Sequence, residues 1–215
     1  MNGDCSGESA GPVTRWWWLR HAPVPDPQGR IHGRLDLPCD TGDEEEIAAL
    51  AGRLPAGAAL VLTPLSRTHQ TAHALEMAGA RLAPFEEEEA FLEQDFGRWQ
   101  GKTWGDLASQ DPPDPALESF WRDPGLGTPP GGENFARVMD RVAQAVLQWS
   151  DHLGDRDVVV VAHAGAIRAA VAQALELSPA AALRLSVAPL SLTRIDRFAG
   201  PEGGWALRSL NETYW

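Results

Sequence analysis

The apolar residues of this chain form two kinds of run. Three runs are short and nearly continuous: residues 16–19 (Trp-Trp-Trp-Leu), 58–62, and 157–162 (Asp-Val-Val-Val-Val-Ala). Their length and their β-branched and aromatic content predict strands, with 16–19 and 157–162 buried on both faces. Between them, apolar positions recur at helical spacing over 44–54 and 65–78. They do so again from 133 to about 152, where Phe135, Val138, Met139, Val142, Val146 and Trp149 share a face. Another helix is expected from His163 to Leu175. Residues 81–84 read as a short third strand and the acids at 86–89 as a solvated run. The last two runs, 187–198 and 205–210, alternate more and predict a hairpin at a sheet edge.

Strands alternating with helices imply right-handed crossovers. The expectation is an α/β three-layer sandwich with a mostly parallel central sheet and helices on both faces. Residues 1–13, rich in Gly, Ser and acids, read as a disordered tail ahead of one domain over 14–215. Within it, 98–130 is punctuated by Pro112, Pro113, Pro115, Pro124, Pro129 and Pro130. It reads as an excursion with short helices that covers the active site. Asp40 to Asp43 and three first-turn acids favour a helix start at Glu44. Thr63 reads as an N-cap, with Pro64 in the first helical position.

Composition narrows the partners. At 215 residues, 43% hydrophobic and 22% charged, the chain is an ordinary globular domain. A net charge of -12 argues against a general nucleic-acid partner, so any anion site must be a local gathering of arginines. The two cysteines, Cys5 and Cys39, suggest no structural disulfide and a reducing compartment. No apolar run is long enough for a membrane span and no secretory pattern opens the chain, so cytoplasm is the expected location.

The strand ends carry the candidate chemistry. The first strand stops in Arg20-His21-Ala22-Pro23, where Pro23 cannot continue the ladder. Arg67 lies in the first turn after the second strand, His163 ends the 157–162 strand, and Glu93 follows the third. Parallel strands bring their carboxyl ends to one edge, where ligands of such sheets bind. Guanidinium groups at Arg20 and Arg67 suit phosphate oxygens. Backbone N–H groups at the helix start after His163 form a second anion-favouring element. A neutral imidazole can attack phosphorus, and a carboxyl group can protonate the leaving alkoxide. This chemistry requires neither metal nor cofactor. Arg30, His32 and Asp36 lie in the loop beside the proposed site, and Trp99 and Trp104 lie near the cover.

Four segments, in order, resemble the histidine phosphatase superfamily, the phosphoglycerate-mutase-like fold. They are Arg20-His21-Ala22, Thr63-Pro64-Leu65-Ser66-Arg67-Thr68-His69-Gln70-Thr71-Ala72, Leu92-Glu93 through Gly101, and His163-Ala164-Gly165. The resemblance implies that His21 is the nucleophile, that Arg20, Arg67 and His163 bind the phosphoryl group, and that Glu93 is the acid/base carboxylate. Gly131-Gly132-Glu133 resembles a recurrent segment leading into a helix. The sequence departs from the family where Ala22 replaces the usual Gly and Pro23-Val24 the usual Glu-Thr. The family's nearby Asn has no clear counterpart.

The resulting expectation is a phosphomonoesterase acting on a small phosphorylated metabolite through a phosphohistidine. The opening Arg-His-Ala-Pro-Val resembles α-ribazole-phosphate phosphatase-like members. A phosphoglycerate-type mutase is the alternative. It would hold a phosphorylated acid with extra cations, yet 102–130 has only Lys102 and Arg122 against five acids. A non-catalytic phosphate- or protein-binding module is the second alternative.

Overall fold

A computed structural model describes residues 11–112, 114–200 and 203–214. In chain order the elements are β1 (Val13–Arg20), α1 (Glu44–Ala51), β2 (Ala59–Leu62), α2 (Ser66–Met77), β3 (Phe85–Glu87), α3 (Trp104–Ala108), α4 (Pro115–Arg122), α5 (Phe135–Leu153), β4 (Asp157–Ala162), α6 (Ala164–Leu175), α7 (Pro179–Ala182), β5 (Leu192–Phe198) and β6 (Gly204–Glu212). The strands form one six-stranded sheet in the order β3-β2-β4-β1-β5-β6. The three pairings from β3 to β1 are parallel, and β5 and β6 close the other side as an antiparallel hairpin. The expected three-layer α/β sandwich is present.

Side-chain alternation along the strands fills both layers. Trp16, Trp18, Val158, Val160 and Ala162 pack with α5, α6 and α7 on one face. Leu19, Leu60, Leu62, Val159 and Val161 pack with α1 and α2 on the other. Trp16 and Trp18 stack at 5.6 Å between ring centroids, and Phe91 meets Trp18 edge-on at 4.9 Å. Trp17 is half-buried, so β1 is not closed on both faces as expected. The Arg194 guanidinium covers the Trp17 ring at 4.5 Å. Trp99, Leu107, Leu117 and Phe120 of region 98–130 form a small core with Ile31 of the loop after β1, with Phe96 and Trp104 packed against it.

Several boundaries differ from the sequence expectation. Val13 opens β1 by pairing with Phe198, so it does not belong to a disordered tail. Residues 1–10 of that expected tail lie outside the described residues. The third strand is Phe85–Glu87, not 81–84. Acidic positions read as a solvated run therefore lie on the sheet edge, where charge disfavours pairing with another chain. Thr63 does not cap α2: the helix starts at Ser66 after Leu65, with no side-chain cap bond. The last helix-face pattern starts later too, at Phe135, capped by Asn134. Residues 187–191 are not strand. They turn across the end of β1, where Leu190 N–H donates to the Arg20 carbonyl and Arg20 N–H to that of Ser191.

The central packing predicts unequal costs of truncation. Phe91→Ala, at a fully buried ring, should lower unfolding free energy by about 3–5 kcal/mol in urea denaturation. Phe85→Ala, on the exposed edge strand, should change it by less than about 0.5 kcal/mol. Equal losses would contradict this account of the core.

Candidate active site

Strand polarity delivers the candidate residues to one place. β1 ends at Arg20-His21, β4 at His163, and α2 begins just after β2 with Arg67 in its first turn. Arg20, His21, Arg67 and Glu93 line one cleft of about 360 Å³ at the carboxyl edge of the sheet, with Pro23, Val24, Ile31, His32, Gly33, Phe96, Trp104 and Pro189. His163 is fully buried behind it, its ring 5.2 Å from that of His21. Sequence motifs from four separate segments thus converge. Phe96 and Trp104 come from the cover and its approach, which closes one wall.

Hydrogen bonds fix the tautomers of both imidazoles. His21 Nδ1 lies 2.7 Å from the carbonyl of Ala22. A carbonyl only accepts, so Nδ1 holds the proton and Nε2 keeps its lone pair. Ala22 is fully buried, and its own N–H donates to Thr71 Oγ1 at 2.9 Å, which holds this turn in place. At His163 the pattern is reversed. Arg67 Nε–H donates to Nδ1 at 3.3 Å, so the proton sits on Nε2 and is donated to Thr63 Oγ1 at 2.9 Å. The Thr63 hydroxyl is therefore engaged by His163, which explains why it caps no helix.

Burial and neighbouring cations keep both rings neutral. Burial first, then the charge of Arg67, pushes the His21 pKa down to about 3. The same two causes, in the same order, hold His163 well below the usual imidazole range.

The arginines are held by backbone oxygens. Arg67, only 2% exposed, donates to the carbonyls of Leu35 at 2.7 Å and Gly33 at 2.8 Å. Arg20 donates to Val187 O at 2.6 Å, while its buried Nε–H has no partner among the described residues. Burial lowers both pKa values and the Glu93 carboxylate opposes that shift. Glu93 also sits at the start of α6. Gly165 N–H reaches its two oxygens at 3.1 and 3.2 Å, and Gln94 N–H donates to it at 2.8 Å. The expected free anion site at this helix start is therefore corrected: the first-turn N–H of Gly165 is taken by Glu93. A Cβ at Gly165 would collide with that carboxylate.

The flanking residues divide. His32 lines the cleft, its Nε2 2.8 Å from Asp26 Oδ2, whose pKa is lowered chiefly by this bond. Arg30 points to the same Asp26 and is not in the cleft lining. Asp36 accepts the Ser66 N–H at the start of α2. Trp104 lines the cleft, whereas Trp99 is buried in the cover and donates to Asp114. Sequence reading missed the Thr63 hydroxyl and an ionic cluster of Arg34, Glu133 and Arg141 behind Glu93. The Gly131-Gly132-Glu133 motif was its one visible sign. Among the described residues no group of three or more His, Cys, Asp or Glu side chains is placed to hold a metal ion. No helix there is long and apolar enough to cross a membrane.

Geometry predicts the protonation state. In nitrogen-resolved NMR, His21 should remain neutral with its proton on Nδ1 at pH 5, where an ordinary histidine is mostly charged. Titration of His21 near pH 6.5 would contradict the assignment. Because the unfolded chain binds these protons and the folded one does not, the stability due to neutral His21 is complete above about pH 6.5. It is lost progressively as pH falls from there towards the folded pKa of about 3.

Comparison with known proteins places these features in a family. The model of the histidine phosphatase superfamily (branch 1) matches residues 16–213. The chain is 35% identical over 177 residues to a glucosyl-3-phosphoglycerate phosphatase of Mycolicibacterium vanbaalenii, covering 77% of this chain and 76% of that protein. It is 30% identical over 207 residues to a bifunctional protein of Mycobacterium tuberculosis, covering 94% of this chain. The match spans only 55% of that longer relative. Among solved structures, the α-ribazole phosphatase of Shigella flexneri shares the fold with a TM-score of 0.78 at 20% identity, over 92% of this chain and 96% of that one. The chain belongs to the histidine phosphatase superfamily, branch 1.

Proposed function

We propose that this protein is a metal-independent phosphomonoesterase that hydrolyses a small phosphorylated metabolite through a phosphohistidine on His21. The observation that carries this reading is the bond from His21 Nδ1 to the Ala22 carbonyl. It leaves Nε2 unprotonated inside a cleft that also presents Arg20, Arg67 and Glu93. His21 Nε2 attacks phosphorus while the ester oxygen departs, and the proton which that oxygen needs, brought in by the phosphate monoanion of the substrate, passes to it through Glu93. Water, deprotonated by Glu93, then attacks the phosphohistidine and releases inorganic phosphate and neutral Nε2. Arg20 and Arg67 neutralise the equatorial oxygens during both transfers. The unpartnered Nε–H of Arg20 supports its role in holding an anion. His163, buried behind the cleft next to His21 with its proton turned to Thr63, accepts from Arg67 and helps hold that guanidinium in place.

The walls of the cleft narrow the substrate. Val24, Ile31, Phe96, Trp104 and Pro189 offer apolar surface, and besides the two arginines the lining holds only His32 as a basic side chain, bonded to Asp26. This favours an alcohol with an apolar or flat face over a second anionic group. α-Ribazole 5′-phosphate is the specific candidate. Glucosyl-3-phosphoglycerate, the substrate in the name of one relative, carries a carboxylate and is the competitor.

Purified protein in EDTA would be assayed for free phosphate and for isomerised product with α-ribazole 5′-phosphate, glucosyl-3-phosphoglycerate, phosphoserine and 3-phosphoglycerate. The account expects phosphate release without isomerisation, highest for the first compound, and a loss of at least about 10³-fold in His21→Ala. Isomerisation without release would make the protein a mutase. Activity that survives His21→Ala would overturn the covalent mechanism, and activity only with added metal would overturn metal independence.

A further inference from the structure

The Gly131-Gly132-Glu133 motif has no part in the cleft, yet it is bound to the segment that carries Glu93. Two backbones cross here at very close range. A Cβ on Gly132 would enter the Asp95 carbonyl, and one on Gly97 would enter Pro130 O and the Gly132 backbone. Gly97 and Gly131 also adopt positive φ, 51° and 77°. The crossing is fastened by Glu133 N–H to Asp95 O at 2.9 Å and by the Gln94 side chain to Glu133 O at 2.9 Å. It sets the Glu133 carboxylate immediately behind residues 93–95.

That carboxylate gathers two arginines. Arg34 Nη2 donates to Oε1 at 2.9 Å, and Arg141 binds both oxygens, at 2.8 and 3.1 Å. Asp95 N–H adds a further bond at 3.1 Å. Both arginines then reach past Glu133 to one acceptor. Arg34 Nε–H and an Arg141 Nη2–H each donate to the Glu93 carbonyl at 3.2 Å. Burial would raise the Glu133 pKa, but the Arg141 hydrogen bond and charge, the Asp95 N–H and Arg34 together hold it below the ordinary carboxylate value. Arg141 is tied down independently by the Ala90 carbonyl at 2.6 Å. Glu93 is thus gripped at its carbonyl by two arginines and at its carboxylate by the start of α6.

We infer that Glu133 is a positioning residue for the proton-transferring carboxylate: through Arg34 and Arg141 it fixes the backbone of Glu93 so that its side chain faces the leaving oxygen above His21. The inference rests on the reading of Glu93 as proton donor. Its consequence depends on the leaving group. An alkyl alcohol departs poorly without a proton, whereas p-nitrophenolate departs readily as an anion. Loss of acid placement therefore penalises alkyl esters selectively, while general damage to phosphate binding or folding penalises both alike.

The test compares kcat/KM, which reports phosphoryl transfer to the enzyme, for an alkyl phosphate and p-nitrophenyl phosphate in Glu133→Gln, Arg34→Met and Glu93→Gln. Glu93→Gln should lose about 100-fold or more on the alkyl ester and much less on the aryl ester. Glu133→Gln should show the same selectivity at about 10-fold or more, and Arg34→Met, at a partly exposed site, the same direction more weakly. The double variant Glu93→Gln/Glu133→Gln should be no more selective than Glu93→Gln alone. Equal losses on both esters in Glu133→Gln and Arg34→Met, with Glu93→Gln selective, would overturn the positioning role and leave the acid in place. Absence of selectivity in Glu93→Gln would overturn both. If Glu133→Gln does not fold, Arg34→Met decides between these outcomes.

Discussion

Two guanidinium groups at the carboxyl edge of the sheet, Arg67 buried and Arg20 half-buried, set the terms for everything around them. A buried cation is costly unless its N–H groups find acceptors and a counter-charge lies nearby. Arg67 meets this demand by drawing in the carbonyls of Gly33 and Leu35, which folds the long loop after β1 back over the site. Arg20 does so through Val187, which bends the 187–191 segment across the strand end. Glu93 supplies the negative charge common to both. Burial first, and then these cations, suppress protonation of His21 and His163. One electrostatic arrangement therefore shapes the loops and keeps the imidazole available as a base or nucleophile.

The carboxylate that balances this charge is itself held from two sides. Its oxygens meet the start of α6, and its carbonyl meets Arg34 and Arg141. Neither support could form unless chain segments approached within backbone contact, which Gly165, Gly97 and Gly132 permit. Phe96 and, from region 98–130, Trp104 add a further wall, and both pack on the small cluster that Trp99, Leu107, Leu117 and Phe120 form with Ile31.

Legibility in the sequence followed the strength of local patterns. β4 was visible because four successive valines are all buried, and α5 because its apolar face is long and regular. β3 was misplaced because all three of its residues are exposed, leaving no periodicity to detect. Thr63-Pro64 carried a sound helix-start signal, but the hydroxyl had a stronger use against His163, a residue 100 positions away. The candidate residues Arg20, His21, Arg67, Glu93 and His163 were legible chiefly because four segments in order resemble one family; strand direction then explains how Arg20-His21, Arg67 and His163 reach one edge of the sheet. The Arg34–Glu133–Arg141 cluster was not, because no local rule links residues so far apart. The free helix start after His163 was misjudged for the same reason, since its partner Glu93 lies 72 residues earlier.

The central claim is that neutral His21 Nε2 takes the phosphoryl group before water does. Its most direct test is a rapid alkaline quench during turnover of a phosphomonoester, followed by peptide mapping by mass spectrometry. The account predicts a phosphoryl group on the peptide containing His21, on the imidazole, and none on the same peptide of His21→Ala. Turnover with no phosphorylated protein at any time, or with the label on another residue, would contradict it.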